Sequence, residues 1–322
     1  MKLDPKIMKL AKEKYEESRS ERRSELLARL DELRRTLPEF AAAERAQFSL
    51  GAEIAEACLS GNPEEKLAEI RPLAEAVAAQ KEKILLANGL PASGEVEAQC
   101  QVCSDEGFVG GKPCACMMKV YRSVQMKENA RLFRLSSGER RDFRPEDYSD
   151  GTNPKTGIPD RTYMCRLMER LDAAGEIPPR SIAFTGESGI GKKYLTALLM
   201  RRAIDAGVFA VCIPSYALAR LFEEERFSRN DYTASDELSR CREAALLVID
   251  ELGTEQTTAY SAGALLDLLD TRLADGLTTV ITTGLTDGDI ASRYNPETLF
   301  RIREQFTQYS IPLTVLENER KV

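Results

Sequence analysis

The chain has 322 residues, 43% of them hydrophobic and 30% charged, with a net charge of −7. That length suits roughly two domains with a real core, and the acidic balance excludes bulk nucleic-acid binding except through a local basic patch. No apolar run reaches the roughly 18 residues of a membrane span, and with no His every mechanism that needs imidazole is excluded.

Met1–Leu10 alternates Lys with apolar residues and lacks the apolar core of a signal peptide, so the expected location is the cytoplasm. There the eight Cys are expected to be reduced. Residues 1–92 read as a helical region. Leu26, Leu30, Leu33 and Leu37 recur at helical spacing, and Leu67, Ile70, Val77 and Ile84 repeat the pattern. Asn88-Gly89 supplies a helix stop, with Pro91 beyond it. An amphipathic bundle and a partner-binding helical arm both fit.

Residues 93–120 hold Cys100-x-x-Cys103 and Cys114-x-Cys116 around a glycine-containing loop. Two such pairs aim four sulfurs at one point, and Zn²⁺ takes four thiolates in a closed, structural tetrahedron. An iron–sulfur centre or unliganded redox cysteines are the alternatives. Cys58, Cys165, Cys212 and Cys241 stand alone and read as small core residues.

Residues 121–160 form a basic linker and aromatic segment. Met117–Arg144 carries eight basic residues (Lys119, Arg122, Lys127, Arg131, Arg134, Arg140, Arg141 and Arg144) against three acidic ones. A solvated helix face and a nucleic-acid or partner contact both fit.

Residues 161–322 alternate helices with short apolar runs. Ser181–Thr185, Val208–Ile213, Ala245–Ile249 and Thr278–Thr282 are the expected strands, with Leu313–Leu316 a further candidate. The pattern is that of an α/β fold with a parallel, doubly covered sheet. Gly186-Glu187-Ser188-Gly189-Ile190-Gly191-Lys192-Lys193 follows the first strand and opens a helix that starts near Lys192 and carries the apolar segment Tyr194–Met200. It matches G-x-x-x-x-G-K-[ST] except at the last position. The glycines let backbone N–H groups approach phosphate oxygens, the helix N-terminus adds positive potential, and Lys192 reaches the β- and γ-phosphates. Lys193 cannot give the usual hydroxyl to Mg²⁺. Leu246–Glu251 is an apolar run ending in two acids. Asp250 is expected to hold Mg²⁺ and Glu251 to orient the attacking water. Thr283, at the end of the next strand, is the candidate to touch the γ-phosphate or the water.

These residues resemble the bacterial replicative-helicase loaders of the DnaC/DnaI type, AAA+ ATPases grouped with the IstB-like transposition helpers. The resemblance rests on the cysteine segment, Asp142–Ser149, the P-loop, Asp250-Glu251-Leu252-Gly253, the Thr278–Leu285 strand and Phe300–Phe306, in that order. It implies an AAA+ domain with five parallel strands and a reduced helical lid, after a helical and zinc-binding region. It also implies ATP, Mg²⁺ and Zn²⁺ as cofactors, and an N-terminal region that grips a hexameric DnaB-type helicase. The ATPase domains would self-associate and bind single-stranded DNA. Arg301 stands at the arginine-finger position and Arg320 at the sensor-2 position. Arg220, Arg226, Arg229 and Phe227 are candidates for DNA contact. Gly284 stands where the family has a sensor Asn. With Lys193, it implies a protein that holds ATP well and hydrolyses it slowly. An IstB-like transposition helper and a nucleotide-binding adaptor with little ATPase activity are the alternative readings.

Overall fold

The computed structural model describes residues 2–59, 63–133, 148–187, 191–227 and 232–311. Among the expected features, Ser188, Gly189, Ile190, Arg134, Arg140, Arg141, residues 142–147, Arg229, Leu313–Leu316 and Arg320 lie outside them. The chain divides into two compact units, one of residues 11–120 and one of residues 1–10 with 121–322. No helix among the described residues is long and apolar enough to cross a membrane.

The first part of the chain is helical, as its spacing predicts: α1 (Pro5–Thr36), α2 (Pro38–Cys58) and α3 (Pro63–Ala87). Leu30, Leu33, Phe40, Leu85 and Leu90 bury one another in the smaller unit. Pro38 sits at the first position of α2, where a missing N–H costs nothing. The stop after α3 is built as its sequence suggests. Gly89 is left-handed (φ 65°), Gly89 N–H bonds Leu86 O, and Leu90 N–H bonds Leu85 O at 2.9 Å. Those are the paired bonds of a Schellman motif, and the Leu85–Leu90 contact completes it. A short hairpin, β1 (Phe108–Val109) with β2 (Lys112–Pro113), lies between the two cysteine pairs.

The larger unit is a five-stranded sheet. Its strands are β3 (Ile182–Thr185), β4 (Ala210–Pro214), β5 (Leu246–Leu252), β6 (Thr278–Thr283) and β7 (Thr307–Ser310), in the spatial order β4-β5-β6-β3-β7. Every pair is parallel. This is the sheet of an AAA+ P-loop fold, with the phosphate-loop strand between β6 and the last strand. Successive strand residues face opposite sides. Ala183, Val211, Ile213, Leu247, Ile249 and Ile281 enter one core. Ile182, Phe184, Ala210, Cys212, Leu246, Val248 and Val280 enter the other. Both faces are covered by helices, which is why these strands read as continuous apolar runs. The covering helices include α5 (Asp160–Ala173), α6 (Lys192–Asp205), α7 (Ser215–Phe227), α8 (Tyr232–Glu243) and α9 (Ala259–Ala274). The short helices α10 (Asp287–Arg293) and α11 (Pro296–Gln305) follow β6.

Buried polar side chains hold this unit together. Arg272 on α9 is wholly buried. Its guanidinium donates to the carbonyls of Cys241, Arg242 and Ala244 at the end of α8, to Thr278 O, and to the Thr279 hydroxyl. It thereby satisfies carbonyls that a helix end leaves without partners. At the opposite side of the sheet order, β4 is an edge strand. The amides of Gln125 and Asn129, on α4 (Ala115–Phe133), bond Val208 O, Ala210 O and Cys212 N. The basic stretch from Met117 is therefore more than a solvated face. One side of its helix seals a sheet edge that would otherwise present open backbone groups. The N-terminal residues also dock in this unit, where the Asp4 N–H donates to the Tyr121 hydroxyl of α4 at 2.9 Å and buried Asp4 accepts from both Nε (2.9 Å) and Nη2 (2.7 Å) of Arg240 on α8.

Candidate functional sites

In the larger unit, a cleft of about 470 Å³ opens at the C-terminal ends of β3, β5 and β6, lined by Gly191, Lys192, Lys193, Asp250, Glu251, Leu252, Thr254, Thr282 and Gly284. Gly191 caps α6 with a left-handed φ of 94°, a conformation that costs a side-chain-bearing residue about 1 kcal/mol or more. That turn delivers Lys192 and Lys193 to the cleft at the positive end of the helix. The Lys192 ammonium donates to the carbonyls of Gly186 and Glu187. Burial pushes its pKa down, against the pull of Asp250 and Glu251.

At the end of β5 the register slips between Ile249 and Leu252, and Glu251 takes a left-handed φ of 57°. Its N–H bonds the Thr282 hydroxyl at 2.7 Å. The same hydroxyl donates to Asp250 Oδ1 at 2.6 Å. Asp250 is buried and so held in one orientation, while Glu251 reaches into the open cleft. Thr282 is thus the strand-end hydroxyl at the site. Thr283, the candidate from sequence, is turned away. Its hydroxyl donates to Leu252 O (2.7 Å) and accepts from Leu285 N–H (3.0 Å). Nothing in an all-Thr strand end says which of two neighbours faces the cleft, because the answer depends on the register with β5.

The Lys193 ammonium lies 2.8 Å from Glu251 Oε1 and 3.9 Å from Asp250 Oδ2. The hydrogen bond to Glu251 raises its pKa, so it is charged across the neutral range. Gly284 borders the Gly186 carbonyl, which a Cβ there would meet at 3.5 Å, an ordinary contact. Arg301 is paired within its own chain, Nε to Asp270 Oδ1 at 2.5 Å. Of the DNA-contact candidates, Arg220 pairs with Glu224 at 3.3 Å. Arg226 stacks over Phe227 and Tyr260, and Phe227 is exposed.

Residues 177–301 match the family described as IstB-like ATP binding protein. The chain carries an IstB-like ATP-binding domain. Such domains belong to the AAA+ ATP-binding group, generally ATPases, and the cleft lies within the matched stretch. Comparison with curated proteins finds no match. Among solved structures the chain is similar to the DnaC helicase loader, at 18% identity over 47% of this chain and 90% of that one, with a TM-score of 0.41. It is similar to DnaI at 22% identity over 48% and 85%, TM-score 0.39. It is also similar to AMPPCP-bound DnaA from Aquifex aeolicus at 16% identity over 50% and 51%, TM-score 0.39.

An ATP-binding domain implies a nucleotide, ordinarily with Mg²⁺. The donor set of the IstB-like domain disagrees with the metal. The residue after Lys192 offers an ammonium in place of an oxygen, and that ammonium sits against both carboxylates.

In the smaller unit, Cys100, Cys103, Cys114 and Cys116 bring their sulfurs within 4.8 Å of one another. The pairs Cys100–Cys114 (3.7 Å) and Cys103–Cys116 (3.4 Å) lie near the edge of about 3.8 Å that a tetrahedron with Zn–S bonds of about 2.3 Å requires. The four thiols therefore fit Zn²⁺. The Gly107 N–H donates to Cys103 Sγ at 3.3 Å. Burial raises the Cys103 pKa, but hydrogen bonds from Cys116 and Gly107 outweigh it and bring it down to about 6.

Two residues of this site were missed in the sequence. Asp105, left-handed at φ 59°, accepts from Cys100 N–H (2.9 Å), Gln99 N–H (3.1 Å) and Arg22 Nη2 (2.9 Å). It ties the first knuckle shut. Tyr15 places its hydroxyl 3.3 Å from Cys116 Sγ. Asp105 sits between the cysteine pairs and could have been suspected. Tyr15 lies on α1, far away in sequence, and nothing marks it.

Proposed function

We propose that the protein is a nucleotide-gated loader of a hexameric DnaB-type replicative helicase in the cytoplasm. ATP binding by the IstB-like domain favours assembly with the helicase on single-stranded DNA, and slow hydrolysis releases it. The observation that carries this reading is the pairing, in one chain, of a four-thiol cluster with zinc geometry and an ATP-binding cleft. In the resembling family that pairing belongs to loaders. The helical region and the zinc segment would grip the helicase, and the ATPase domains would self-associate. Lys192 would bind the β- and γ-phosphates with backbone groups of Gly186–Gly191. Glu251 would orient water, and Tyr194 and Arg320 would contact nucleotide. Arg301 would leave Asp270 to reach a neighbouring subunit's γ-phosphate.

A second reading is favoured by the family match itself: a transposition helper acting on double-stranded DNA. Co-purification separates the two. A loader retains a hexameric helicase through size-exclusion chromatography, whereas a helper elutes without it.

A further inference from the structure

In P-loop ATPases the strand-end carboxylates and the hydroxyl after the P-loop lysine converge on a divalent cation, which bridges the β- and γ-phosphates. Here the same convergence already contains a cation that belongs to the chain. Lys193 is the second residue of α6, beside Lys192, and its ammonium bridges toward Glu251 and Asp250. Three features fix that placement. The left-handed backbone of Glu251 turns its carboxylate into the cleft. The Thr282 hydroxyl clamps Asp250 from behind. Lys192 donates its hydrogen bonds elsewhere, to the Gly186 and Glu187 carbonyls, and acts on the acidic pair only at longer range, so among the described residues Lys193 is the ammonium that pairs with both carboxylates.

We propose that the Lys193 ammonium takes the place of the divalent cation, so that this cleft binds a nucleoside triphosphate without Mg²⁺. The inference rests on the reading of the cleft as an ATP site. A metal entering between the two carboxylates would have to displace Lys193 from Glu251, 2.8 Å away. The single charge of an ammonium balances phosphate well enough for binding. It supplies neither the second charge nor the oxygen-coordinating geometry with which a divalent ion stabilises a transferring phosphoryl group. Retention of the triphosphate follows directly, and slow turnover with it.

The test is a titration of the full chain with a fluorescent ATP analogue, once in Mg²⁺ and once in EDTA. The expected dissociation constants for the unaltered protein agree within about threefold. Lys193→Thr restores the hydroxyl and should bind about tenfold or more tightly in Mg²⁺ than in EDTA. Lys193→Arg keeps the charge and should stay indifferent to the metal. Binding by the unaltered protein that weakens about tenfold in EDTA overturns the proposal while leaving the ATP site intact. Absence of saturable binding in both buffers overturns the ATP site and the proposal together. The unaltered protein decides the matter even if a variant fails to fold.

Discussion

Lys193 and Gly284, the two positions that depart from the pattern of the resembling family, line one cleft. Among the described residues a Cβ at position 284 meets the Gly186 carbonyl at 3.5 Å, an ordinary contact, so the first side-chain atom of Gly284→Asn has room. Lys193→Thr combined with Gly284→Asn is expected to raise steady-state ATPase in Mg²⁺ by about tenfold or more, within the roughly 10²–10³-fold that one preorganised polar group supplies in catalysis. An unchanged rate would mean that the bottleneck lies elsewhere, with Arg301 held by Asp270 the next place to look. Arg272 acts on stability and not on chemistry. Burial lowers its pKa to about 10, yet it remains charged at neutral pH. Its partners are four carbonyls and a hydroxyl, with no carboxylate among them. Arg272→Met would strand those carbonyls in the core. The expected loss is about 3–5 kcal/mol, read as a lowered denaturant midpoint.

The P-loop and the acidic strand end could be read from sequence because their chemistry is local: glycines, a lysine and two acids at fixed offsets. The helix stop at Asn88-Gly89 was legible for the same reason. What escaped was set by register. The fifth strand is Thr307–Ser310, whose side chains alternate between half-buried and exposed. It therefore lacks the apolar run that marked the other four; the further candidate the sequence offered, Leu313–Leu316, lies outside the described residues. The choice of Thr282 over Thr283, and the sealing of β4 by Gln125 and Asn129, depend on which strands become neighbours. The cysteine knuckle falls between these cases. Its sulfurs were evident from spacing, but the Asp105 brace was not. If the knuckle is a zinc site, purified protein should contain about one Zn²⁺ per chain. Cys103→Ser should lose most of that metal and the folding energy it brings to the smaller unit. Full metal content in Cys103→Ser would place the ion elsewhere.

At the scale of the whole chain, a zinc-type segment and a helical region stand with an IstB-like ATP-binding domain whose own lysine fills the cation position. The arrangement suits a protein whose output is binding to a partner and whose nucleotide is a state marker. The net charge of −7 gives no global attraction to DNA, so the partner that matters most in this account is a protein. The direct test is light scattering of the chain mixed with a hexameric DnaB-type helicase in ATP, in ADP and without nucleotide. The account predicts a complex heavier than the hexamer in ATP that falls back toward the hexamer's mass in ADP. The same mass in all three conditions would contradict nucleotide gating, and no complex in any of them would contradict helicase loading itself.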